Sequence, residues 1–406
     1  VETAEHPVFP AIGCTTGSGR RSVLTAANPL PLVPDCGGLI RTVALALPAA
    51  FFAKSGVGDN VSPLTPIGNL LSALPSDIIA IIAIDSASLT SARNWLSSLP
   101  IRCISELVSL SGNDNIIPHP WIQDMFHVRA SDRGRGAAPE LVLAAENRVG
   151  PGLAEYLGAA VTHSDVTLAG GNQLVGPEFR LVGHSSLVDD GGIGRKVAAP
   201  AHRRRKIEAL DGRSVHSFGY RPQDLGNVPF DLLAIPVDPA ALEGNMHQCG
   251  FHVDQFVSVT GLEYGGRPLL LVADPLTHGG CNVRVATELK RKLDASALSF
   301  ARQGFAIERN PIPVAPAIDT NKCLPRLYNN VVLENVTRSG QKRPFVWIPH
   351  FGDTETLEEF DTVNRKIWDG LGFQPIGVAG WSHLSSRNGA LRCAIKIVDR
   401  DSDTRL

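Results

Sequence analysis

Long apolar runs are missing from this chain of 406 residues. The longest candidates, TVALALPAAFF and DIIAIIAI, are interrupted by proline or too short for the roughly 18 residues that a spanning helix needs, so no membrane partner is expected. An excess of one charge sign is missing too: 38 basic and 40 acidic side chains leave a formal charge of −2. No global field recruits nucleic acid or an anionic surface, and any charge-based function must be local. Cysteine is sparse: seven over this length exclude a disulfide scaffold, and the odd count leaves at least one thiol unpaired within the chain. Cys14 and Cys36 are candidates to pair near the N-terminus, although buried free thiols fit better. The chain opens on VETAEHP without an initiator methionine, as expected of a trimmed or mature form. The compartment stays open. Sequons at Asn60 and Asn335 fit secretion, but such short patterns also arise by chance.

What is present reads as an ordinary globular composition, 43% hydrophobic and 19% charged. Residues 1–40, rich in Gly, Pro, Ser and Thr, form an irregular leader expected to drape over a main body at 41–406. Regular structure is expected to begin near RTVALAL, and strands are expected at DIIAIIAI, CISELVSL, PLLLVAD, PFVWIP and LRCAIKIV. Helices are expected between them. In SLTSARNWLSSL, Leu89, Ala92, Trp95, Leu96 and Leu99 fall at helical spacing; in ETLEEFDTVNRKIWDGL, Leu357, Phe360, Val363 and Ile367 share a stripe. The alternation argues for an α/β protein. The basic run HRRRK (202–206) is expected to be a solvated loop.

Three places carry candidate chemistry. If FHVDQFVSV (251–259) is a strand, His252, Asp254, Phe256 and Ser258 share one face and Phe251, Val253, Val257 and Val259 the other. In LRCAIKIV the same reading puts Cys393 opposite Arg392 and Lys396. Asp124 stands among Trp121, Ile122, Met125 and Phe126, where a carboxylate must find a partner or give up its charge. Singly, each has a structural explanation: a buried thiol, a core histidine, a turn aspartate. Cys249 and His252 also suggest a metal half-site, but no second ligand pair stands at suitable spacing.

In order along the chain, WIQDMF, ENRVGPGL, AGGNQLV, GFHVDQFVSV, LPRLYNNVVLEN and SRNGALRC resemble six elements of the peptidylarginine deiminase catalytic domain. That family lies within the guanidino-group-modifying, or pentein, superfamily. The resemblance spans about residues 41–406 and implies a five-bladed α/β propeller of ββαβ modules around a central active site. Forty leading residues are too few for the immunoglobulin-like domains that precede it in vertebrate members.

The resemblance implies hydrolysis of peptidyl-arginine to citrulline and ammonia. Cys393 would be the nucleophile, His252 the general acid and base, and Asp124 and Asp254 the clamp on the guanidinium. Trp121 would line the channel along the arginine stem, Arg148 and Arg387 would read the substrate backbone, and Asn172 would shape the site. The partner would be a protein or peptide arginine; nothing fixes the oligomeric state. No cofactor is expected. Calcium serves the vertebrate enzymes, but His127 and Leu174 stand where that family has two glutamate ligands, which disfavours the ion here. Arg392 stands where histidine is common and either favours the thiolate or projects away from it. Two rival readings stay open: a deiminase or hydrolase of agmatine, free arginine or methylated arginine with the same central residues, and a catalytically silent propeller that binds arginine-rich partners.

Overall fold

The computed structural model describes residues 30–53, 62–111, 116–130, 138–143, 148–188, 200–237, 245–317, 322–352 and 355–401. Its strands are β1 (Leu39–Leu47), β2 (Ile79–Asp85), β3 (Ile104–Leu110), β4 (His127–Arg129), β5 (Glu140–Leu143), β6 (Ala160–His163), β7 (Gln173–Val175), β8 (Phe179–Gly183) and β9 (Ser214–Phe218). There follow β10 (Val257–Tyr264), β11 (Arg267–Thr277), β12 (Ala306–Pro316), β13 (Cys323–Pro325), β14 (Val332–Leu333), β15 (Phe345–Pro349), β16 (Gln374–Val378) and β17 (Lys396–Asp401). The helices are α1 (Leu64–Ala73), α2 (Leu89–Ser97), α3 (Val149–Leu157), α4 (His184–Val188), α5 (Pro200–Glu208), α6 (Val283–Arg302), α7 (Glu355–Gly370) and α8 (Ser382–Ser385). None is long and apolar enough to cross a membrane.

Among the described residues the strands form five separate sheets, ordered β17-β1-β2-β3, β4-β5-β6, β7-β8-β9, β10-β11-β12-β13 and β14-β15-β16. One rule repeats in all five: β1, β5, β8, β11 and β15 each pair antiparallel with one neighbour and parallel with the other. Parallel neighbours need a crossover, and each here has helix between them. The first sheet unites both ends of the described chain, since β17 lies against β1. The α/β expectation therefore stands, with β1 beginning two residues earlier than the proposed domain boundary.

The buried stripes differ in part from the sequence reading. In α7 the buried face runs through Leu357, Asp361, Asn364 and Trp368, while Val363 is exposed. Polar partners cause the rotation: Asp361 accepts from Tyr328 Oη at 2.6 Å, and Asn364 accepts from Asn310 at 2.8 Å. HRRRK is not a loop but lies on α5, where Arg203 donates to the Thr167 carbonyl at 2.8 Å and Lys206 pairs with Asp165 at 2.6 Å. A disulfide, Cys281–Cys323, ties the approach of α6 to β13. Cys36 is buried; Cys14 and Asn60 lie outside the described residues. The Asn335 amide accepts from Gly37 N at 2.6 Å and donates to the Thr260 carbonyl at 2.9 Å, so that sequon is engaged in packing.

Candidate active site

Three short turns meet between the sheets. The first, Ile122–Asp124, contacts the second, Gly170–Asn172, which contacts the third, Val253–Gln255. Glycine permits the approach. A methyl group at Gly170 would lie 1.8 Å from the Gln123 carbonyl oxygen, and one at Gly171 would lie 2.4 Å from His252 Nδ1 and 3.2 Å from Asp124 Oδ1. The glycine pair in AGGNQ is therefore what the meeting of these backbones demands.

The strand expected at 251–259 begins only at Val257, and His252 instead caps the turn Val253–Gln255. Gly250 supplies a φ of 68°. The Gln255 side chain then folds back, accepting from Phe251 N at 3.2 Å and His252 N at 3.3 Å, which satisfies donors that a strand would have paired. The second expected strand is corrected likewise: β17 starts at Lys396, and Cys393 sits in a turn where Ala394 N donates to the Ala390 carbonyl at 3.2 Å.

These corrections bring the candidates together. Cys393 Sγ lies 3.6 Å from Asp254 Oδ2. Asp124 Oδ2 lies 3.9 Å from His252 Nδ1, while its Oδ1 accepts from Gly171 N at 2.7 Å. Asp254 is fully buried, and its Oδ1 has no hydrogen-bond partner among the described residues. Burial pushes its carboxyl above the ordinary value, while Arg392 and His252 pull it down and Asp124 adds to the rise. The Cys393 thiol is pushed well above its ordinary value, first by burial and then by the charges of Asp254 and Asp124. Both effects favour the uncharged thiol over the thiolate.

Arg392 does not project away. It is buried, donating to Asp254 Oδ2 at 2.7 Å and to Asp35 at 2.9 Å. Burial opposes its charge, but Asp35 and Asp254 outweigh burial and hold its pKa above the ordinary arginine value. Thus Asp254 brings one oxygen to a resident cation and keeps the other unpaired.

The remaining candidates divide. Trp121 packs its ring over Gly389, where a methyl group would lie 2.6 Å from it, so it borders the turn leading to Cys393. Arg387 is exposed two residues before that glycine. Arg148 is exposed at the start of α3, and no described contact joins it to Cys393, His252 or either aspartate. Asn172 spends its amide on protein groups: it donates to Ser186 Oγ at 2.7 Å and accepts from Gln248 at 2.9 Å and from Val253 N at 3.2 Å. It holds two of the turns together.

Sequence reasoning missed Asn330 and Phe251. Asn330 donates to Cys393 Sγ at 3.3 Å and accepts from Cys393 N at 3.1 Å; the doubled asparagine in LYNNVV was the available signal. The exposed Phe251 ring lies along the His252 imidazole, centroids 4.2 Å apart and 24° from parallel. Asn388, with a φ of 65°, is the one described non-glycine residue at positive φ, and its carbonyl accepts from Gln255 at 3.0 Å. That strained residue links the turn of His252 to the one before Cys393. Cys249 is buried in the apolar core, and among the described residues no three His, Cys, Asp or Glu side chains group as a metal site needs.

No protein-family model and no curated protein sequence matches the chain. Solved structures do. The agmatine deiminase of Enterococcus faecalis superposes with a TM-score of 0.59 at 13% identity, covering 92% of this chain and 98% of that one. A Porphyromonas gingivalis protein assigned as an arginine deiminase gives 0.58 at 16% identity, covering 90% and 97%. At these identities the likeness is one of architecture: the chain has the fold of these deiminases over nearly its whole length.

Proposed function

We propose that the protein hydrolyses the guanidinium of a small arginine-type molecule, agmatine or free arginine, to the ureido product and ammonia through a thiouronium on Cys393. The observation that carries this reading is the buried, unpartnered Asp254 Oδ1 beside the Cys393 thiol. A guanidinium offers five donors in a planar fork and supplies what that oxygen lacks, while Asp124 supplies a second carboxylate. Bringing the cation out of water costs several kcal/mol unless it is paired, so the acidic pair favours a cation over a neutral side chain. We read the five sheets as five blades of a propeller, with the three turns at its centre.

Burial and the two carboxylates hold the thiol neutral; the arriving cation offsets the carboxylates, and the thiol passes its proton to the His252 imidazole as the thiolate forms. Sulfur then bonds to the guanidinium carbon. Protonated His252 gives its proton to the departing nitrogen as the C–N bond breaks, releasing ammonia. The neutral imidazole next takes a proton from water, whose oxygen attacks the thiouronium carbon; the C–S bond breaks as the new hydroxyl gives its proton to sulfur, and His252 releases the water proton to solvent. Asn330, donating to Sγ, steadies the anionic sulfur in both steps.

The agmatine and arginine deiminases that share the fold support a small substrate. A peptidyl substrate is the second reading, favoured by exposed Arg387 near Trp121. Ammonia release from agmatine, free arginine and benzoyl-arginine ethyl ester separates the two. We expect agmatine or arginine to exceed the capped ester by at least about ten-fold in kcat/KM; a faster ester reverses the ranking.

A chelator is expected to leave these rates unchanged. Burial, with help from Lys396 and Arg180, lowers the His127 pKa to about 3, its imidazole bonds to the Leu168 carbonyl at 3.0 Å, and Leu174 is core. Neither offers an anionic oxygen to calcium. Activity lost with chelator and restored by the ion would overturn this. Gly171→Ala is expected to lower kcat on the order of a hundred-fold by displacing His252 from Asp124; undiminished turnover would show that their approach does not matter.

A further inference from the structure

The segment before β1 is tied to four of the five sheets. Val33 N donates to the Val128 carbonyl and Ala130 N to the Pro31 carbonyl, both at 2.8 Å, against the second sheet. Asp35 N donates to the Val175 carbonyl at 2.8 Å and Asp35 Oδ2 accepts from Val175 N at 2.7 Å, on β7 of the third. Asn335, just past β14 of the fifth, accepts from Gly37 N, and Arg400 of β17 in the first donates to the Asp35 carbonyl at 2.9 Å. From this strap one carboxylate reaches inward: Asp35 meets Arg392 at 2.9 Å through Nε and at 2.8 Å through Nη2. The cavity left behind Arg392 is about 20 Å³, room for a water and no ligand.

We propose that Asp35 is a positioning residue for the reaction: by sharing the Arg392 guanidinium with Asp254, it leaves Asp254 enough negative charge, at a fixed angle, to take the substrate cation. The proposal rests on the function proposed above. Its logic is charge balance. Arg392 alone would neutralise Asp254, and a site so neutralised has little reason to bind a second guanidinium. With Asp35 present, three carboxylates stand against two buried cations, Asp35 and Asp254 facing Arg392 and Asp35 and Asp124 facing Lys396 of β17, and with the imidazole neutral when the substrate arrives one excess negative charge remains for it. The thiol faces Asp254, Asp124 and Arg392, and Asp254 in turn faces His252, so weakening the hold of Asp35 on Arg392 also changes the field at sulfur.

The test compares Asp35→Asn, which keeps an oxygen for Val175 N but removes the charge, with Asp35→Glu, which keeps the charge. Two quantities are read: KM and kcat for agmatine or arginine, and the pH midpoint of Cys393 alkylation by iodoacetamide in the free enzyme. For Asp35→Asn we expect KM to rise on the order of ten-fold with a smaller change in kcat, from the loss of one charge in a medium of effective dielectric near 20. Its alkylation midpoint should fall, because Arg392, less neutralised, favours the thiolate. Asp35→Glu should stay near wild type in both. An unchanged KM and midpoint in Asp35→Asn, or equal losses in both variants, would overturn the proposal, the second result marking a purely structural role. If Asp35→Asn does not fold, Asp35→Glu against Asp35→Gln makes the same comparison of charge. Should wild type turn over no guanidine, the proposed function fails by that result, while the alkylation midpoint still reads whether Asp35 acts through Arg392.

Discussion

Replacing Cys393 by serine is expected to abolish ammonia release, with kcat falling by roughly four orders of magnitude or more, while the fold and ligand affinity survive. The expectation follows from a resonance-stabilised carbon that an alkoxide precursor of much higher pKa attacks poorly, where a thiol becomes a thiolate readily once a cation is bound. Sulfur is also fully integrated: Asn330 contacts it, and the backbone nitrogen of the same residue is held by the same side chain. Steady-state ammonia assays beside calorimetric titration with agmatine or arginine make the check. Binding retained and turnover lost would support nucleophilic catalysis. Turnover retained would remove Cys393 from the chemistry, and a wild-type protein that binds without releasing ammonia would favour the silent propeller.

The second large effect is expected at Asp254. Asp254→Asn removes the carboxylate that faces both the thiol and Arg392, and so acts twice. The loss of a charge partner for the substrate should lower kcat/KM on the order of a thousand-fold. It also weakens the counter-charge of a guanidinium buried to 3% exposure. Breaking a buried pair by removing one partner costs about 3–5 kcal/mol, although Asp35 retains part of the pairing here, so the lower end is expected. A denaturant titration measures the stability and agmatine kinetics the activity. A variant equal to wild type in both would mean that Asp254 neither anchors Arg392 nor meets the substrate.

The two effects rest on residues whose types were legible in the sequence but whose setting was not. His252 and Asp254 were visible as titratable groups in an apolar stretch, and Asp124 as a carboxylate among large apolar side chains. Strand alternation, however, gave the wrong local geometry at both 251–259 and 391–398. Period-two patterns do not reveal a glycine at φ 68° or a Gln255 side chain that takes over the backbone donors of the turn. Arg392 shows the limit most clearly: strand alternation puts it on the face opposite Cys393, yet it is locked to Asp254 by a salt bridge across 138 residues of sequence. Partners so distant leave no local pattern. The fold was read better, because the parallel strand, helix, parallel strand rhythm is periodic and local. The Cys281–Cys323 bond and the rotated stripe of α7 leave no mark in the sequence, since each depends on a partner that spacing alone does not nominate.

Asp35 extends the lesson to the leader. Residues 31–37, within the stretch that composition marks as irregular, reach four sheets and approach the candidate site through one shared guanidinium. An irregular segment can thus set the electrostatics of a site that it does not touch.

Acid quenching of the wild-type protein during turnover, followed by mass analysis of the peptide containing Cys393, probes the core of this account most directly. A fraction of that peptide is expected to be heavier by the substrate less one ammonia, and the Cys393→Ser protein is expected to lack it. Ammonia release at full rate with the adduct on another residue, or with turnover unaffected when Cys393 is replaced, would contradict it.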